Sequence, residues 1–245
     1  MKIGVFSDVH GNLEALNACL ARLDKEGVER FIFCGDAIGY GPDPEACVQK
    51  ILQLPLLACV LGNHDAALDR PELESFFNYD ARLALEKTRK LLSPSSLYAL
   101  TTLPERVQMP SFCVVHGTPA DPIKEYFSSV FQFQNMLSLW EGAVCFVGHT
   151  HLSFYMKGTA RNCTVTLSSQ DGTEVSLTRQ SRYVINPGAV GKPRDKNPQA
   201  AFGMWDTKAN TFTFLRETYD VKKTQEKMRK YKFPSFLIDS LAVGS

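Results

Sequence analysis

The chain has 245 residues, 44% apolar and 22% charged, with a formal net charge of +1. That length supports a full hydrophobic core in one large domain, 1–245, and the balanced charge gives no pull toward long nucleic acid or an anionic membrane. No apolar run approaches the roughly 20 residues of a membrane span, no signal peptide precedes Ile3, and the seven cysteines contain no C-x-x-C pair, so a cytoplasmic chain without disulfides or a cysteine zinc site is expected.

In chain order, Lys2 to Ser7 reads as a strand. Asn12 to Lys25 reads as a helix, with Leu13, Leu16, Leu20 and Leu23 at steps of three and four. Arg30 to Cys34 is a second strand, Pro44 to Leu52 a helix with proline in its first turn, and Leu56 to Leu61 a third strand. Ala66 to Leu103 is mostly helical, restarting at Ser93-Pro94. Ser111 to Val115 and Ala143 to Val147 are apolar strand-like runs, and Cys34, Cys113 and Cys145 fall inside such runs as small buried hydrophobes. Cys163 to Ser168 and Glu174 to Arg179 flank a polar turn with Asp171-Gly172 and are expected to pair as a hairpin. Tyr183 to Asn186, Ala200 to Asp206 and Thr211 to Arg216 continue as strands. A polar helix from Val221 to Tyr231 closes the chain, its Lys222, Lys223, Lys227, Arg229 and Lys230, with Lys232 just beyond, reading as a solvated face. The β-α-β-α-β opening argues for α/β architecture, two sheets packed face to face with helices outside.

The unusual residues sit where strands end. The first strand runs into Asp8-Val9-His10-Gly11-Asn12, the second into Gly35-Asp36, the third into Gly62-Asn63-His64-Asp65. Two later strands run into His116-Gly117 and Gly148-His149-Thr150-His151. Open α/β sheets place their ligands at this edge. All five histidines of the chain belong to the set. A lone histidine is more often a satisfied structural residue, and Gly35-Asp36 or His116-Gly117 alone is a weak signal. Gly-Asn-His-Asp and Gly-His-Thr-His are distinctive, and their ordered occurrence in one chain is a strong one. Imidazole nitrogen combined with carboxylate oxygen suits Mn, Fe, Co, Ni or Zn rather than an all-oxygen cage.

The ordered motifs D-x-H, GD, GNHD, H and GHxH resemble the signature of the calcineurin-like metallophosphoesterases. Further likeness to a bacterial branch of that family, described as phosphatase-related or diadenosine-tetraphosphatase-related, lies in Gly35 to Pro42, in His116 to Pro119 with Asp121-Pro122 and Glu125-Tyr126, in Leu91 to Pro94, and in Asn186 to Gly191 with Pro193-Arg194-Asp195. The resemblance implies a four-layer fold of two mixed sheets flanked by helices. It implies two divalent metal ions, manganese favoured, one held by Asp8, His10, Asp36 and His151, the other by Asp36, Asn63, His116 and His149, with Asp36 bridging. His64 is implied as a substrate-facing catalytic residue. Two ions about 3.5–4 Å apart lower the pKa of a shared water, and the hydroxide so formed attacks phosphorus in line. His64 would protonate or stabilise the departing oxygen.

The expected activity is hydrolysis of phosphomonoesters or phosphodiesters of small molecules or nucleotides. A metal-binding scaffold on the same fold is one alternative, set against the filled ligand positions. A nuclease is the other, set against the near-neutral charge and the absence of a basic stripe. The protein Ser/Thr phosphatases resemble the chain only in part: their GD-x-x-D-R-G carries an arginine that is missing after Gly35-Asp36, and their GNHE ends here in Asp65. Substrate orientation therefore falls to Arg194, a fork for two phosphate oxygens or else a surface ion pair with Asp195 or Asp206. Tyr40 either packs against a base or second ester group or is loop packing. The sequence sets no oligomeric state.

Overall fold

The computed structural model describes residues 1–168 and 170–245. In chain order the strands are β1 (Lys2–Phe6), β2 (Arg30–Phe33), β3 (Leu56–Cys59), β4 (Arg106–Gln108), β5 (Phe112–Val115), β6 (Val144–Phe146), β7 (Ser153–Gly158), β8 (Cys163–Leu167), β9 (Thr173–Ser176), β10 (Arg182–Pro187), β11 (Ala200–Asp206) and β12 (Thr211–Glu217). The helices are α1 (Leu13–Lys25), α2 (Pro44–Leu52), α3 (Asn63–Ala66), α4 (Tyr79–Leu91), α5 (Pro94–Thr101), α6 (Val130–Met136), α7 (Val221–Lys230) and α8 (Ser235–Ser240), with a 3₁₀ turn at Pro71–Phe76 before α4.

The strands form two six-stranded sheets, ordered β3-β2-β1-β11-β12-β9 and β4-β5-β6-β10-β7-β8. Both are mixed. β1, β2 and β3 run parallel and β11 antiparallel to β1; β5, β6 and β10 run parallel and β4 and β7 antiparallel to them.

The period-two alternation of strands decides which residues meet between the sheets. Ile3, Val5, Ile32 and Cys34 from one sheet meet Phe112, Val114, Val144, Phe146, Tyr183 and Ile185 from the other, closed off by Trp205, Phe212 and Phe214. The opposite faces point to helices. Phe6 and Phe33 pack with Leu16, Cys19 and Leu23 of α1 and Cys47, Val48 and Ile51 of α2. Cys113, Cys145 and Val184 pack with Phe133 and Met136 of α6. The expected four layers are present; Cys113 and Cys145 are buried strand residues, and Cys34 is buried one residue past β2. Asn12 caps α1, its side chain accepting from Ala15 N, and Ser93 caps α5.

The expected hairpin is not formed. β8 pairs antiparallel with β7 and β9 pairs antiparallel with β12, so the two strands lie at the edges of different sheets. Gly172, at the Asp171-Gly172 turn, has φ +78 and donates its N–H to Phe214 O at 2.9 Å. The turn therefore hands the chain from one sheet to the other. Nor does the polar helix close the chain, because α8 follows it. The basic face of α7 is only partly solvated: Lys227 Nζ lies 2.7 Å from both Glu14 and Asp43, and Lys223 Nζ lies 3.2 Å from Glu14. Among the described residues no helix is long and apolar enough to cross a membrane.

Candidate metal centre

The parallel strands β1, β2, β5 and β6 deliver Asp8, His10, Asp36, His116, His149 and His151 to one edge, and α3 adds Asn63 and His64. All eight are buried. Five of them hold left-handed backbone: Asp8 (φ +55), His10 (+49), Asp36 (+61), His149 (+68) and His151 (+60). Each such residue costs roughly 1–2 kcal/mol for an L-amino acid, so this concentration of strain at one edge marks a site rather than a fold requirement.

Hydrogen bonds across the turns hold it. Asp8 N donates to Gly35 O and His10 N to Asp36 O, both at 3.0 Å. Asp65 accepts from Asp36 N (2.9 Å), Ala37 N, Ile38 N and Gly62 N (each 3.2 Å). Gly62 is required by close approach, since a Cβ there would lie 2.0 Å from Asp36 Oδ1. Asn186, fully buried at the end of β10, donates to Gly148 O at 2.6 Å and Thr150 Oγ1 at 2.9 Å, fixing the turn that carries His149 and His151. Asp65 and Asn186 were not singled out as site residues from sequence, although a buried polar residue beside each motif is a usable signal.

The side chains then converge. His10, His116 and His151 place Nδ1 on the carbonyls of Ile38 (2.9 Å), Cys34 (2.8 Å) and Lys192 (2.5 Å). Each carbonyl takes the Nδ1 proton, which turns Nε2 inward, the orientation of a ligating imidazole. His149 is reversed, with Nε2 on Lys124 O at 3.1 Å, which leaves Nδ1 free. Asp8 spends one oxygen on His149 N (3.2 Å) and Asp36 one on His64 N (2.9 Å). Their other oxygens, Asp8 Oδ1 and Asp36 Oδ2, are buried with no partner.

Around those two oxygens lie His151 Nε2 at 3.3 Å and His10 Nε2 at 3.7 Å from Asp8, and His116 Nε2 at 3.4 Å and His10 Nε2 at 3.6 Å from Asp36. Asn63 Oδ1 lies 3.0 Å from His116 Nε2. An unpartnered buried carboxylate oxygen is costly, and two surrounded by inward imidazole nitrogens fit cations. Two groups have ligand atoms within 4.8 Å of one another: Asp8, His10 and His151, and Asp36, His116 and His149; a third joins His10 and Asp36 to His64. The seven residues expected as ligands are thus brought together.

Burial drives the acid–base character of the cluster. It pushes the Asp8 carboxyl up to about 7, and it holds His10 and His151 well below their ordinary value, His149 down to about 3 and His64 to about 4. Neutral imidazole is the form that binds metal. His116 goes the other way, up to about 9, because the Asp36 carboxylate outweighs burial; His116 in turn outweighs burial at Asp36 and holds that carboxyl below the usual range.

His64 stacks on Phe77, centroids 4.4 Å apart, and touches the rings of His10 and Tyr40. Its Nδ1 is enclosed beside Gly39 without a partner, so Nε2 is the nitrogen left to the cavity. Gly39 has φ +137, and a Cβ there would sit 2.7 Å from that Nδ1. Tyr40 is buried between the His10 and His64 rings, and burial pushes its hydroxyl up to about 12. Arg194 donates to Tyr40 Oη at 3.3 Å. Among the described residues it forms no ion pair; Asp195 instead pairs with Arg216. A cavity of about 440 Å³ opens from the cluster, lined by Asp36, Asn63, His64, His149 and His151 and by Tyr40, Lys192 and Arg194.

A two-sheet sandwich with Asp, His and Asn at its strand ends defines a metal-dependent phosphoester hydrolase. Residues 1–210 match the model of the calcineurin-like phosphoesterase superfamily domain, and the chain belongs to that family. It is 32% identical to an uncharacterized protein of Methanocaldococcus jannaschii over 258 aligned residues, 99% of this chain and 98% of that one. The crystal structure of a metallophosphoesterase from Sphaerobacter thermophilus is 36% identical, with a TM-score of 0.88 over the whole of both chains. Phosphodiesterase YfcE of Escherichia coli K12 is 26% identical over 145 residues, 54% of this chain and 77% of that protein.

Proposed function

We propose that residues 1–245 act as one cytoplasmic catalytic unit, a dinuclear phosphoesterase for small phosphate esters, nucleotides among them. The observation that carries the proposal is the pair of buried, unpartnered oxygens, Asp8 Oδ1 and Asp36 Oδ2, ringed by inward-facing imidazole nitrogens. Asp8, His10, Asp36 and His151 would hold one ion and Asp36, Asn63, His116 and His149 the other. Mn²⁺ is favoured within a set that also suits Fe, Co, Ni and Zn. When bound, such ions activate water as a nucleophile and neutralise the phosphoryl oxygens. Seven free cysteines fit a reducing setting.

The chain's own groups supply the rest. The guanidinium of Arg194, free of a carboxylate partner among the described residues and steadied by Tyr40 Oη, forks onto phosphate oxygens. His64 offers Nε2 to the leaving oxygen, and its Phe77 and Tyr40 neighbours keep bulk water from that nitrogen. The test is a panel of a monoester, a diester, cyclic nucleotides and dinucleoside polyphosphates, run after chelation and after adding back Mn, Co, Ni or Zn. Chelation should abolish hydrolysis and metal restore it; no activity on any member with metal supplied would overturn the proposal.

A further inference from the structure

The cavity is far larger than a phosphoryl group needs. At about 440 Å³ it falls in the range that encloses a drug-sized organic ligand. Its outer lining divides by chemistry. Lys124, Lys192 and Arg194 supply positive charge, Lys192 Nζ donating to the main-chain oxygen of Ser245, and Asp36, already within the metal cluster, is the one acidic side chain in the lining. Most of the remaining wall is aromatic and apolar, with Leu73, Phe76, Phe77, Tyr126, Phe236 and Leu237, and Asn78 and Ser245 are its polar members.

Three of those rings have no structural reason to be open. Phe76 is 68% exposed, Phe236 62% and Tyr126 48%. Among the described residues three phenylalanines are exposed, and two of them line this cavity. They come from separate parts of the chain: the 3₁₀ turn Pro71–Phe76, the loop before α6, and α8. Tyr126 stacks on the candidate ligand His149, centroids 4.0 Å apart and planes at 15°, which sets its ring beside the metal cluster. Lys124 Nζ lies 5.4 Å over the Phe76 ring, near enough for a cation–π contact. α8 lies beyond the 210 residues of the family match, so Phe236 and Leu237 are added to this wall from outside the matched segment, while its other residues lie within it.

We propose that this cavity is a binding site for the organic part of the substrate, and that the part it takes is a flat aromatic or heteroaromatic ring, in an ester whose phosphate reaches Arg194 and the metal cluster. The inference rests on the phosphoesterase reading and narrows it to a substrate class. Large flat rings recognise flat rings, through offset or edge contacts, while an aliphatic or polyhydroxy alcohol would leave the three open aromatics in water.

AMP and ribose 5-phosphate test this, because they share phosphate and ribose and differ in the base. Affinities of both are measured by calorimetry on the metal-supplied full chain. Stacking predicts that AMP binds about 5- to 150-fold more tightly. Phe76→Ala and Phe236→Ala, both at exposed positions, should each cut that ratio severalfold and leave ribose 5-phosphate unchanged. Equal affinities in the wild type would overturn the inference, and so would a large ratio untouched in both variants and in their combination. Failure of the phosphoesterase reading is distinguished by hydrolysis: an active enzyme with equal affinities loses only the aromatic subsite. If neither compound binds with metal supplied, the inference falls with the phosphate site.

Discussion

Asp65→Ala isolates the support of the site from its chemistry. The Asp65 side chain is fully buried and accepts from four backbone N–H groups, three on Oδ2 and one on Oδ1. Removing it strands four donors, each costing about 1–3 kcal/mol when buried without a partner. Water entering the vacated space offsets part of that, and we take a net loss of about 3–5 kcal/mol. At about 2–4 °C per kcal/mol for a chain of this size, Tm should fall by about 6–20 °C. Melting should be followed by circular dichroism in chelator, so that metal binding does not mask the difference. Asp65→Asn, with its amide oxygen in the Oδ2 position, keeps three weaker bonds and sets –NH₂ against Ile38 N, so it should fall between. An Asp65→Ala protein melting within about 2 °C of wild type would refute the reasoning.

Other variants separate the remaining roles. His64→Ala should keep full metal content yet lose about 10²–10⁴-fold in turnover; the loss should shrink for a 4-nitrophenyl ester, and equal losses for good and poor leaving groups would exclude His64 from protonating or stabilising the leaving oxygen. Arg194→Ala should raise KM with metal content unchanged, and Arg194→Lys should recover only part because a point charge cannot fork onto two oxygens; wild-type kinetics across the panel would exclude Arg194 from substrate binding. Glu14 gives a pH signature. Burial raises its carboxyl, but the Lys227 and Lys223 contacts outweigh that and hold it below its ordinary 4.5. A depressed folded pKa contributes stability that is fully present above 4.5 and lost as pH falls through the folded value. The stability gap between wild type and Glu14→Gln, from urea unfolding, should therefore be flat above about pH 5.5 and close below 4.5; a gap that widens on acidification would contradict the ion-pair account.

The two-sheet layout and the convergence of the seven candidate ligand residues were legible because both are written locally. The short unbroken apolar runs at Ile3 to Phe6 and Phe112 to Val115 mark strands buried on both faces, and each motif sits in the few residues after a strand. What was not legible depends on partners far along the chain. β8 and β9 flank a turn with a good hairpin sequence, yet each strand follows its own sheet, because pairing with β7 and with β12 decides the matter. β7 reads weakly since Tyr155 and Lys157 are only half-buried. α6 did carry a local signal, the Ser129–Gln132 capping box, as did α8 in Leu237, Ile238 and Leu241. Adjacency to His64 gives Asp65 no defined role in the sequence; α3 turns its carboxylate back onto the Gly35-Asp36 turn. The carbonyls of Ile38, Cys34 and Lys192 that fix the histidine tautomers leave no mark in a sequence, since any residue supplies one.

Metal stoichiometry tests the central claim most directly. Metal-free chain, prepared by chelation and incubated with excess Mn²⁺, Co²⁺ or Zn²⁺, should bind two equivalents by elemental analysis. Asp36→Ala should lower the affinity for both, because Asp36 Oδ2 faces His10 on one side and His116 on the other, while His151→Ala should weaken one alone. A single equivalent that survives Asp36→Ala undisturbed would contradict the dinuclear account.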